Sequence, residues 1–263
     1  MINSHALLAA VERSPSACAA HDRSAWVDVF TVDGQVEDPV GSQPHTGYSQ
    51  IYRFYDTFIG PRDITFHRNL DIVAATSVLR DVELEVRMGP GVTMMVPAFL
   101  RYDLREVDGQ WKIARLRAYW ELPAMIAQFL RSGPRAVGPG LALSRGLLAN
   151  QGMSGTLGFL QGFRRAGNRH KTLVDTFLTA IACGDTAAAA RLLGPSAAVT
   201  LGDDEPLELA HLVGRLRGAR WPKMIGAGRT VVARLSSGLG GGMLFAEVAG
   251  RGERITRVRY FPA

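Results

Sequence analysis

From Asp81 to Arg87 charged residues alternate strictly with Val82, Leu84 and Val86. A period of two leaves little choice but a half-buried β-strand, because successive side chains of a strand point to opposite faces. Met88-Gly89-Pro90-Gly91 then reads as a hairpin turn, and Met94, Val96, Ala98, Leu100, Tyr102 and Leu104 share one face of the strand that follows. Asp108-Gly109 marks a second hairpin, and Trp111 to Trp120 forms the last strand of an antiparallel meander. Upstream the signals are helical. Ser4 to Glu12 is one helix, Ser14-Pro15 begins another with Pro at its first position, and Asp22 caps a further stretch ending near Asp33-Gly34. Helices first and a meander second predict an α+β domain, a curved antiparallel sheet wrapped by helices into a cone with an apolar interior.

The stretch from Gly34 to Tyr55 joins the two halves of that domain. Gln35 to Glu37 is a short strand, Asp38 stands at its end before Pro39, and the breaker-rich turn Val40-Gly41-Ser42-Gln43-Pro44 follows. Tyr48, Ile51, Tyr52, Phe54, Tyr55 and Phe58 give the next helix a broad aromatic face. A carboxylate at a strand end beside such a face reads either as a turn residue accepting a local backbone bond or as an acid in the mouth of an apolar pocket.

With 47% apolar and 21% charged residues in 263, the chain has the composition of a soluble globular protein long enough for two cores. Cys18 and Cys183, one in each half, indicate free thiols in a reducing, cytoplasmic setting. Met1 to Ala10 lacks the basic segment of a secretory signal. The histidines show no metal-ligand spacing, and Gly240-Gly241-Gly242 lacks the Lys-Ser/Thr of a phosphate loop, so neither a metal nor a cofactor is expected.

VEDPVG, Gly47 opening a helix that carries FY, and the closing RAYW together resemble the ketosteroid isomerase and nuclear transport factor 2-like superfamily, SnoaL-like proteins included. The resemblance runs from about Ser14 to Trp120. It implies that Asp38 is a general base shuttling a proton between two carbons, with the indole N–H of Trp120 holding it. It also places the family's two oxyanion donors, a Tyr and a protonated Asp, at about Ser14 and at Leu100, so both of those donors are absent. Tyr102, two residues along the same strand face, is the expected substitute, its alternative being a core tyrosine. Asp103 points to the other face. Tyr52, Tyr55, Phe58, Val82, Leu84, Leu100 and Leu116 are expected to line the ligand site. An epoxide-hydrolase relay is disfavoured: Arg80-Asp81 offers part of it, but Ala118 stands where its last acid belongs.

Between Glu121 and Asp175 the chain holds seven basic residues and no acid, leaving the remainder at net −1. Residues 123–169 thus read as a basic, Gly-rich helical connector between a first domain (1–122) and a second (170–263). Its segment 131–171 suits a peripheral membrane or protein contact, or else a linker helix with solvated arginines. No nucleic-acid motif accompanies the charge. From Lys171 onward helix, Gly-Asp break, helix and strands recur, with Gly202 to Pro206 in place of the EDP turn. This is a second, shortened copy of the same fold, able to act as an intramolecular domain partner in place of a homodimer mate. Asp203, Asp204 and Glu205 are read as a solvated loop. The expected function is cofactor-independent, isomerase-like proton transfer on an apolar, steroid- or polyketide-like carbonyl compound. The alternative is a non-catalytic carrier of a small apolar ligand.

Overall fold

A computed structural model describes residues 3–89, 91–141, 145, 168–238, 240–249 and 253–263. The chain divides into two compact units, Met1–Arg164 and Arg165–Ala263.

The first unit opens with α1 (Ser4–Ala19), capped by the Asn3 side chain, and α2 (Arg23–Asp28), capped by Asp22. The sequence reading divided α1 at Ser14-Pro15, but it is one helix with Pro15 inside. Proline removes one backbone donor, while Val11, Ser14, Pro15 and Cys18 are all buried. The second correction is at Phe30. There β1 (Phe30–Glu37) already begins, so the stretch read as helix up to Asp33-Gly34 is half strand. A bulge between Phe30 and Gln35 accommodates the break. Gly34 is required in it, since a Cβ would lie 2.8 Å from the Thr31 carbonyl oxygen.

After β2 (His45–Thr46) and α3 (Gly47–Phe54), one wide π-type turn spans Tyr55–Ile59. Four long strands follow: β3 (Asp63–Ala74), β4 (Ser77–Gly89), β5 (Val92–Val107) and β6 (Gln110–Tyr119). β3 escaped the periodicity because a register shift between Arg68 and Leu70 breaks its alternation. The sheet runs β2-β1-β6-β5-β4-β3, antiparallel throughout except for the parallel pair β1–β6. Inward residues of β4 and β5 (Val78, Val82, Ala98, Leu100, Tyr102, Leu104) meet Leu7, Val11, Trp26, Ile51, Phe54 and Tyr55 of the helices in one core. α4 (Leu122–Arg131) packs on β5, where Gln128 Oε1 accepts from Met95 N at 3.0 Å. The uncharged segment Gly146 to Phe163 lies outside the described residues. No described helix is long and apolar enough to cross a membrane.

The second unit has α5 (Asn168–Cys183), α6 (Thr186–Leu192), β7 (Leu193–Leu201), β8 (Glu205–Pro206), α7 (Leu209–Leu216), β9 (Arg220–Ala227), β10 (Thr230–Ser237), β11 (Gly240–Val248) and β12 (Ile255–Pro262). Its sheet order, β8-β7-β12-β11-β10-β9 with β7–β12 parallel, repeats the first. The correspondence extends to single hydrogen bonds. At the first helix break Asp22 N donates to Ala17 O and the Asp22 side chain caps α2; at the second, Asp185 N donates to Ala180 O and the Asp185 side chain caps α6. The residue before each aspartate, His21 or Gly184, has a positive φ. The protein is an α+β fold present twice, the second copy with shorter strands. Cys18 is buried, Cys183 exposed, and both are free thiols.

Candidate active site

Asp38 stands one residue past β1, before a cis bond to Pro39. Val40 N donates to Ala118 O at 2.8 Å, tying this turn to the end of β6, and Glu37 Oε1 accepts from Gly41 N at 2.9 Å. The same strand end carries Trp120, whose Nε1–H donates to Asp38 Oδ1 at 2.5 Å. Parallel pairing of β1 with β6 therefore assembles a carboxylate and its indole donor from positions 82 residues apart.

The half-buried Asp38 faces a cavity of about 660 Å³, open solvent at its mouth included. The walls come from four sources: Phe54, Phe58 and Ile59 of α3 and the π turn; Ile64, Leu84, Val86 and Met88 of β3 and β4; Met94 and Val96 of β5; and Met125 of α4. Thus the helix assigned from sequence to the connector helps close the cavity. Asp38, Trp120 and Arg62 supply the polar atoms. Burial pushes the Asp38 carboxyl up to about 6, against the Trp120 hydrogen bond, which favours the ionised form. A carboxylate poised there takes a proton readily near neutral pH.

Of the residues expected at the site, Asp38, Trp120, Phe58 and Leu84 line this cavity together. Val82, Leu100 and Leu116 lie in the core, on inward strand faces beyond the cavity rungs Leu84–Val96 and Val86–Met94. Tyr102 is 1% exposed in the same core and outside the cavity lining; burial raises its phenol pKa, so it is a protonated donor at neutral pH. Tyr55 packs on Trp26 with ring centroids 5.5 Å apart, and Tyr52 lies half-buried under the Arg23 guanidinium at 4.5 Å. Neither of these two tyrosines, one on α3 and one on the π turn, lines the cavity. Ser14 and Leu100, the positions of the family's donors, are both buried. Asp103 faces away and accepts from Ser77 and Arg101 at 2.8 Å and from Arg117 at 2.5 Å. Although burial opposes it, Arg117 and Arg101 hold its carboxyl below the ordinary value.

Arg80 and Asp81 cannot share a site, because adjacent residues of β4 point to opposite faces. Arg80 turns inward, 1% exposed, and pairs with Asp71 at 2.8 and 3.0 Å and with Glu12 at 3.0 Å. Sequence reasoning missed Arg62 altogether. It follows the breaker Gly60-Pro61, yet it is 8% exposed and lines the cavity. Among the described residues no three His, Cys, Asp or Glu side chains converge as metal ligands would.

Residues 6–128 match the nuclear transport factor 2 (NTF2) domain model, and this half of the chain is an NTF2-like domain. No curated protein matches the sequence. Solved structures that match include the Δ5-3-ketosteroid isomerase from Mycobacterium sp., at 26% identity over 45% of this chain and 95% of that one (TM-score 0.41). The Mycobacterium tuberculosis protein RV0760c, in complex with estradiol-17β-hemisuccinate, matches at 24% identity over 44% and 95% (TM-score 0.41). An epoxide hydrolase of the LEH-like type from M. tuberculosis matches at 17% identity over 51% and 97% (TM-score 0.42).

The Trp120–Asp38 bond gives a direct test of the electrostatics. A hydrogen bond to a charged group contributes roughly 1.5–3 kcal/mol, or about one to two pKa units. Trp120→Phe removes the donor and keeps an aromatic ring, so the Asp38 pKa is expected to rise by about that amount. Direct titration of the carboxyl by carbon-detected NMR reads it; an unmoved or lower pKa would show that the indole does not favour the carboxylate.

Proposed function

We propose that the first domain is a cofactor-independent, isomerase-like enzyme that moves a proton between carbons of an apolar, polycyclic carbonyl compound, with Asp38 as the base. The observation that carries this is a carboxylate in an apolar cavity, held by one indole N–H and with its pKa raised to about 6. A carbon acid next to a carbonyl is acidified as its enolate forms. Asp38 takes that proton, remains facing the same ligand and returns it at a second carbon. Trp120 positions the carboxylate by holding Oδ1 while Oδ2 is the oxygen available for the proton. The apolar walls keep water from competing for it. Tyr102 is the proposed donor to the enolate oxygen, supported by its inward strand face and by a phenol that burial keeps protonated. The neighbours' steroid ligand and steroid isomerase activity belong to those proteins, and here suggest only which substrate to assay first.

The test is spectrophotometric conversion of a β,γ-unsaturated 3-oxosteroid to its conjugated enone across pH 4 to 9. The base must be ionised, so kcat/KM is expected to rise about tenfold per pH unit below 6 and to level off above it. No turnover at any pH removes the steroid-isomerase reading. A second reading, a carrier that binds an apolar ligand without chemistry, is favoured by one observation: Tyr102 is absent from the cavity lining, which leaves no phenol facing the ligand. A Tyr102→Phe variant with unchanged kcat would remove the phenol from the mechanism.

A further inference from the structure

Arg62 is buried in an apolar cavity without a counter-ion. Its Nη1 donates to the Thr57 carbonyl oxygen at 2.6 Å, and its Nε is directed at the Met88 sulfur at 3.0 Å, a weak acceptor. Neither partner carries charge. Among the described residues no carboxylate pairs with it. Among the described residues every other guanidinium this deeply buried has an acid against it: Asp71 for Arg80, Asp103 for Arg101, Asp203 and Glu247 for Arg259. A guanidinium taken out of water with neutral partners alone is strongly disfavoured. Burial pulls its pKa down to about 10, which still leaves it protonated at neutral pH.

Arg62 also lies apart from Asp38. The base and Trp120 come off β1 and β6; Arg62 leads into β3 and touches the end of β4, at the far side of the sheet order. The partners of Arg62 are Thr57 and Met88 and that of Asp38 is Trp120, so the two form no ion pair. The cavity thus holds a carboxylate on one flank and a cation without a counter-ion on the other, the rest of its lining being aliphatic and aromatic.

We infer that the cavity takes an organic acid: a ligand with an apolar body and a carboxylate, the carboxylate seated on Arg62. Its planar fork fits that group in two parallel N–H···O bonds. Asp38, when ionised, repels the same carboxylate, so the ligand has one favoured orientation, acid end at Arg62 and neutral body towards Asp38. This rests on the reading of the cavity as the ligand site, but on Arg62 rather than on the base.

The test compares 3-oxoandrost-4-ene-17β-carboxylate with its methyl ester, which keeps the body and loses the charge, by isothermal titration calorimetry at pH 7.5. The wild-type protein is expected to bind the acid roughly tenfold or more tightly than the ester. That ratio should fall to about one in Arg62→Met and survive in part in Arg62→Lys. Equal or tighter binding of the ester by the wild-type protein overturns the inference without recourse to any variant. So does an acid preference that persists in folded Arg62→Met, or the lack of saturable acid binding. Repeating the comparison in Asp38→Asn separates the two readings. An acid preference in a wild-type chain without turnover sinks proton transfer alone; wild-type turnover without acid preference sinks the role of Arg62 alone; an acid preference that vanishes in folded Asp38→Asn takes the preference away from Arg62.

Discussion

Asp38→Asn is expected to lower kcat for a 3-oxosteroid or related substrate by 10²–10⁴-fold, the range a positioned general base supplies. The amide is nearly isosteric and its oxygen can still accept from Trp120 Nε1, so the cavity should keep its shape. Stability should move the opposite way. A carboxyl whose pKa is raised on folding, here to about 6, binds its proton more readily in the native state. Protonation therefore favours the fold at low pH, and that contribution is lost as pH rises from about 4 through 6. Two pKa units amount to roughly 3 kcal/mol. The Asn variant, which has no such charge to bury, should be more stable than wild type at pH 7.5 by up to that amount, the gap closing towards pH 4. Thermal melts at the two pH values read it. A variant less stable than wild type at pH 7.5, with activity intact, would mean that Asp38 is a turn residue and no more.

The second large effect is expected inside the core. Arg80 is held chiefly by Asp71, whose side chain is 13% exposed, while Glu12 is 53% exposed. Burial alone would depress the guanidinium pKa; the Asp71 bonds more than reverse this. Asp71→Ala strips the closer partner and leaves the cation buried, for which about 3 kcal/mol of lost stability is expected. Glu12→Ala, at the exposed end of the same cluster, should cost under about 1 kcal/mol. Urea denaturation followed by Trp fluorescence compares them. Equal effects would mean that Glu12 supports Arg80 as much as Asp71 does.

The legible parts of this structure were those in which one residue type has one conformational reading. Val82, Leu84 and Val86 against their charged neighbours fixed a strand face, and Asp38-Pro39 with Trp120 drew attention to the carboxylate and its indole. The fold's second copy was visible because Gly184-Asp185 repeats the helix break of His21-Asp22. What stayed hidden depended on tertiary context. Pro15 reads as a helix start, yet a helix whose face is buried tolerates one missing hydrogen bond. Arg62 follows Gly60-Pro61 and looks like surface; only the π turn at Tyr55–Ile59, which no periodicity announces, brings it under the cavity wall. Val82 and Leu100 have the right strand phase for the ligand, but phase gives a face and not a depth, and both lie beyond the cavity in the core.

The repeated sheet register has a consequence for stoichiometry. Glu37 pairs with Arg117 as Thr200 pairs with Arg259, so the residues that succeed them correspond: Leu201 stands where Asp38 does, and Pro262 where Trp120 does. The chain has duplicated its architecture but not its base. If Asp38 is the base proposed above, each polypeptide is expected to offer one proton-transfer centre rather than two, and the concentration of active centres to equal that of chains.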